Sequence, residues 1–268
     1  MTTANRGSAT PETDLITDYL RLGLAFDRLE EGFVDAYTGD PTLRSEIANG
    51  PAPDPSRLAD RARGLRGELP AGLPTDRAAF VDAHLRALEC SARKFAGDDI
   101  GFVDEVRAYF DVDIAPADTD DYRKAHGELG SALGVPDASG PVLSDAYAAY
   151  RRSDEIPPER VDECVRAFSG ALRERVRDEF PLSDNEIVEF EVVTDKPWSG
   201  FNYYLGNYRS RVAINADLTQ YMSSLPHLIA HEAYPGHHTE HCRKEQILVG
   251  GGQAEQTIFL VNTPQCLM

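Results

Sequence analysis

Long hydrophobic runs are missing from this sequence. Its 41% of hydrophobic residues are spread along the chain, and no apolar stretch approaches the roughly 18 residues that a membrane span needs. No membrane partner is expected. The N-terminal stretch MTTANRGSATPETD has one arginine but no apolar segment leading to a small-residue cleavage site. It lacks the order of features in a secretory signal, and a cytoplasmic location is the expectation. Cysteine is scarce: Cys90, Cys164, Cys242 and Cys266 lie far apart and form no CxxC pair, so they read as free thiols rather than a disulfide framework. Positive charge is also in short supply. Against 45 acidic residues stand 27 basic ones, a net charge of -18, and such a surface repels a phosphate backbone. The arginine-bearing stretches at 57–68 and 151–155 mix acids with their bases and carry no interleaved aromatics, so no nucleic-acid partner is expected. A GxSxG nucleophile elbow is absent too, and Cys242 beside His241 gives no sign of an activated thiol.

What is present is helical periodicity. Residues 1–11 read as a loose tail. From Asp14 to about Tyr37, Leu15, Tyr19, Leu22, Phe26, Leu29 and Phe33 recur at spacings of three and four, the signature of an amphipathic helix. Similar spacing predicts helices at about 57–69, 75–96, 100–110, 119–133, 141–150 and 158–179, with Thr119 suited to cap one of them. At Glu186 the pattern changes: EIVEFEVV alternates apolar and acidic residues, as a strand does. Residues 201–215 then read as a hairpin turning near Gly206 and Asn207. A helix follows from about Asp217 or Thr219 to Val249, and another from Gln253 to about Asn262. The expected fold is α+β and mostly helical: a helical region over 12–180, then over 181–268 a small antiparallel sheet and a kinked histidine helix.

Five of the seven histidines, His227, His231, His237, His238 and His241, fall within fifteen residues and are interleaved with Leu228, Ile229, Ala230 and Glu232. Imidazoles concentrated beside carboxylates suit zinc and related ions. The zincin spacing HExxH puts two histidines on one helical face, but here Pro235 stands where the second would be. In a straight helix His237 would lie about 9 Å further along the axis than His231 and about 120° around it. Pro235 and Gly236 predict a kink that swings His237 back toward His231, with Glu232 beside them to polarise a bound water. His227/His231 and His237/His241 are alternative pairs at a spacing of four. His238 is left open between an oxyanion donor, a support for a ligand and a surface residue.

The segment HEAYPGHH at 231–238 resembles the signature of the DUF885 proteins, a bacterial group placed with the zincin-like metallopeptidases. VAINADL at 212–218 and LGLAFDRLEEGFVDAYTG near the N-terminus extend the likeness over nearly the whole chain. The resemblance implies that His231 and His237 ligate one Zn2+ ion and that Glu232 is the general base. It also implies a third ligand, a glutamate in a helix later than any here, since members are usually much longer; the expectation is then of an incomplete site in a short chain. Glu255 is the candidate substitute among these residues, while Glu240 reads as a solvated helix residue. By the same resemblance the 201–215 hairpin stands beside the site, where Tyr203, Tyr204, Tyr208 and Arg211 are candidates to meet a peptide or small amide substrate. The expected activity is zinc-dependent amide hydrolysis, impaired in this chain. The alternative is a non-catalytic or truncated helical protein with at most weak metal binding. The oligomeric state is not legible.

Overall fold

The structure, a computed structural model, describes residues 11–267. Apart from Pro11, the tail expected over 1–11 lies outside them. The chain divides into two units, Met1–Ile114 with Lys244–Met268 and Ala115–Arg243. Among the described residues no helix is long and apolar enough to cross a membrane.

The first unit is built where the three-and-four spacing is strongest. Helix α1 (Pro11–Phe26) buries Leu15, Ile16, Tyr19 and Leu22. It ends earlier than the spacing suggests. The Asp27 carboxylate accepts from the amides of Gly32 and Val34 at 3.2 and 3.1 Å, Gly32 adopts φ +88°, and Phe33 turns back to stack on Phe26 at 4.8 Å. The chain then leaves as strand β1 (Val34–Tyr37), so Phe33 satisfies the apolar pattern without being helical. After the short α2 (Pro41–Asn49), Asp54 caps α3 (Pro55–Gly72) by accepting from Ser56 and Arg57. Ala62, Leu65 and Leu69 of α3 are buried with Val81, Leu85 and Leu88 of α4 (Thr75–Phe95). Each such leucine contributes roughly 1.5–3 kcal/mol of burial. Helix α5 (Phe102–Phe110) packs Tyr109 against Ala87 and Cys90.

The second unit holds α6 (Thr119–Ala132), α7 (Gly140–Ser153) and α8 (Val161–Glu179). The cap of α6 is Asp118, which accepts from Asp120 N at 2.9 Å, rather than Thr119. Next come β2 (Ile187–Val193), β3 (Gly200–Gly206) and β4 (Arg209–Asn215), in the order β2-β4-β3. The sheet is mixed, not the antiparallel one expected: β3 and β4 form the antiparallel hairpin, but β2 runs parallel to β4. Alternation reveals which residues face inward and says nothing of partner direction. Asn215 ties the intervening loop to the end of β4 by donating to the carbonyls of Lys196 and Trp198, both at 2.9 Å. Val212 and Ile214 of β4 pack on Val161 and Val165 of α8 and on Leu225 and Ile229 of α9 (Leu225–Glu232).

The expected single helix to Val249 is two, α9 and α10 (His237–Lys244), followed by a π-helical turn over Glu245–Val249. The helix expected from Gln253 is a 3-10 turn at Ala254–Thr257 and then strand β5 (Ile258–Leu260). Strand β5 belongs to the first unit, where it pairs antiparallel with β1. The β-branched Thr257 and Ile258 beside Phe259 favour that outcome.

A candidate histidine site in the second unit

Helix α9 stops because Ala233 leaves helical geometry (φ -125°, ψ -78°) just before Pro235, and the Tyr234–Pro235 bond is cis. Gly236 then passes so close beneath α9 that a Cβ there would collide with the carbonyl oxygens of Ala230 and His231. Its own amide donates to Ala230 O at 2.8 Å. The chain resumes as α10, with Thr239 donating through both its amide (3.2 Å) and its hydroxyl (3.1 Å) to Ala233 O. This elbow brings the His231 and His237 rings together: Nε2 to Nε2 is 3.2 Å, with centroids 4.7 Å apart and planes at 86°.

Glu232 is buried between α9 and the edge strand β3. Asn202 of β3 donates to the Glu232 carbonyl at 2.6 Å. A Cβ on Gly200 would come within 3.3 Å of the Glu232 side chain, so glycine is what lets the strand approach. Neither residue stands out by motif, but a lone asparagine on the inward face of an aromatic strand is a polar group that needs a buried partner.

The adjacent His238 has a fixed place. It is fully buried, with Nδ1 2.9 Å from Ser210 Oγ and Nε2 3.0 Å from Glu186. Glu186 also accepts from Tyr234 at 2.7 Å and from Arg173 at 2.6 Å. Burial alone would raise the Glu186 pKa; the hydrogen bonds from His238, Tyr234 and Arg173 outweigh it and hold the carboxyl below its usual range. Burial first, and then Glu186, push the Tyr234 phenol up. The network clamps both flanks of the elbow to the sheet.

The remaining candidates are dispersed. His241 stacks on Tyr204 at 4.6 Å, with its ring 6.5 Å from that of His237. Tyr203 lies against Phe201 at 4.7 Å and under the Arg211 guanidinium, which pairs with Glu191. Tyr208 is a turn residue with φ 61°. Glu255 belongs to the first unit, where its fully buried carboxylate takes both Nε (2.6 Å) and Nη2 (2.7 Å) of Arg77. Its oxygens are spent on a guanidinium. Beside α9 opens a cleft of about 500 Å³ lined by His227, His231, Glu232, Arg151 and Tyr221 among others.

The zinc ion that the resemblance implies requires its ligands at set distances. With metal–nitrogen bonds of about 2.0–2.1 Å, nitrogens 3.2 Å apart match two ligands of one ion. A catalytic zinc needs three protein ligands, and among the described residues no group of three or more His, Cys, Asp or Glu side chains could hold a metal. The ligand set does not fit. Zinc as the cofactor, zinc-dependent peptide hydrolysis and the zinc metallopeptidase class are therefore corrected: the elbow assembles a pair of imidazoles, not a catalytic metal centre. No family model, curated protein or solved structure matches the chain.

Proposed function

We propose that this chain acts by binding and not by catalysis, as a non-catalytic relative of the DUF885 proteins that retains their histidine elbow. The motif HEAYPGHH supports the kinship, because its proline and glycine stand where the chain reverses and its flanking histidines are the two that meet. One observation carries the non-catalytic reading: the rings at 3.2 Å have no third ligand group around them among the described residues. Two imidazoles leave a divalent transition ion mostly to water, so it is held weakly and its geometry is loose.

The test is turnover. The purified chain, with and without added divalent ions, is expected to leave a library of peptides and small amides uncleaved. Calorimetric titration with transition ions should give affinities no tighter than micromolar, lost in His231→Ala. Cleavage that disappears in Glu232→Gln would overturn the reading.

A further inference from the structure

The cleft beside α9 has a second pole, built from residues the histidine motif does not include. Arg151, in the last turn of α7, lays its guanidinium over the Tyr221 ring, with Cζ 3.4 Å from the centroid. Such stacking fixes the plane of the guanidinium and leaves its N–H edge free to donate. In a chain this acidic, a half-buried arginine is expected to meet a carboxylate, as Arg77 and Arg173 do. Arg151 does not: among the described residues it makes no ion pair and donates no hydrogen bond. The nearby Asp154 accepts from the hydroxyl of Ser223 and from its amide at 3.0 Å; these hydrogen bonds, and then the Arg151 charge, hold it below the usual carboxylate range, but no direct ion pair joins the two.

The surroundings limit what this edge can take. The hydroxyls of Ser199, Thr219 and Ser224 line the same cleft and can each donate to an oxygen. Arg151 is the only permanent cation on that lining, and Glu232 is an acid on the same wall. A single permanent cation, with no second one on the lining, suits a monoanion better than a polyanion. The planar guanidinium edge matches the two oxygens of a carboxylate. The volume of about 500 Å³ lies within the range of small-molecule sites.

From this we infer that the cleft binds a small organic monocarboxylate, its carboxylate seated on the Arg151 edge and its remainder directed toward the histidine wall. The inference rests on the reading of the second unit as a binding site. It adds the chemical class of the ligand.

The experiment uses the full chain and three probes, glycylglycine, lactate and inorganic phosphate, titrated by heteronuclear NMR. Glycylglycine and lactate are expected to shift the Tyr221 and Ser199 amides saturably, and phosphate to leave them in place. Arg151→Gln should weaken both carboxylates by roughly ten- to a hundredfold, the loss expected for hydrogen bonds to a charged group. Arg151→Lys should recover only part, because the charge returns without the fork. Arg152→Gln, at the exposed next residue, should match the unaltered chain, and unchanged spectra elsewhere would show that each variant is folded. Carboxylate affinity untouched by Arg151→Gln would overturn the inference, as would shifts with phosphate alone. Turnover of peptides with carboxylate binding intact would sink the non-catalytic reading and leave this one standing. Absence of carboxylate binding without turnover would do the reverse.

Discussion

At the elbow, Gly236 has no room for a side chain. A methyl group there meets two carbonyl oxygens of α9, and neither can move without breaking the helix. Gly236→Ala is expected to cost more than about 2 kcal/mol, at the upper end of overpacking penalties, and to separate the two histidine rings. Chemical denaturation with the ring proton shifts of His231 and His237 would check both. Glu255 offers a second contrast at this scale. With its carboxylate fully buried on Arg77, Glu255→Gln should destabilise the first unit by roughly 3 kcal/mol, as breaking one side of a buried pair does. It should leave ion binding at the His231 pair unchanged. Loss of ion binding with stability intact would restore Glu255 as a ligand.

Among elements, α3, α4 and α8 are legible because each buries several apolar residues at helical spacing, whereas α2, which buries only Leu43 between a glycine and prolines, is not. Direction and partner are not legible either. The alternation of β2 marks its inward face through Val188 and Phe190, yet its parallel alignment with β4 depends on β4 inserting between β2 and β3, which no local pattern encodes. In the same way the run around Ile258 is short, apolar and periodic enough for either a helix or a strand; its pairing with β1 decides. The elbow itself was legible, since Pro235 and Gly236 announce a reversal. The residues that hold it, Asn202, Ser210 and Glu186, lie 28 to 52 positions away from their partners and carry no motif. Close packing of α1 on β5 gives a test. A Cβ on Gly23 would come within 2.9 Å of the fully buried Ile258, whereas Gly67 on α3 has nothing within 4 Å. Gly67→Ala should gain up to about 1 kcal/mol of helix propensity. Gly23→Ala should forfeit that gain to overpacking. Equal gains in urea denaturation would count against the strand at 258–260.

For the whole molecule, the buried His84 and the half-buried Asp35 of the first unit set opposing acid responses. His84 receives the Tyr19 hydroxyl at 2.7 Å. Burial, and then the charge of Lys244, push its pKa down to about 3. The unfolded chain therefore binds this proton first, and stability present above about pH 6.5 is lost progressively as pH falls toward 3. Asp35 works the other way. Burial, partly offset by Lys244, pushes it up to about 6, so folding gains as pH falls from 6 to the ordinary 3.8. The histidine spans the wider window, and the net expectation is acid weakening. Denaturation midpoints between neutral pH and about pH 4.5 should fall in the unaltered chain and fall less in His84→Gln. Identical slopes would show that His84 is not the group responsible.

The pairing of β1 with β5 also fixes an order of events during synthesis. Thr38 donates to Thr257 at a sequence separation of 219, and the second unit is written entirely between the two parts of the first. On a ribosome, α1 through α5 emerge early, but the strand against which Gly23 packs does not exist until the second unit has been translated. The second unit, contiguous in the chain, is able to close first. Its predecessor waits with an apolar face bare, and distant closure of this kind is slow. Nascent chains stalled before residue 258 should therefore attract holdase chaperones to α1, and release them once β5 is exposed.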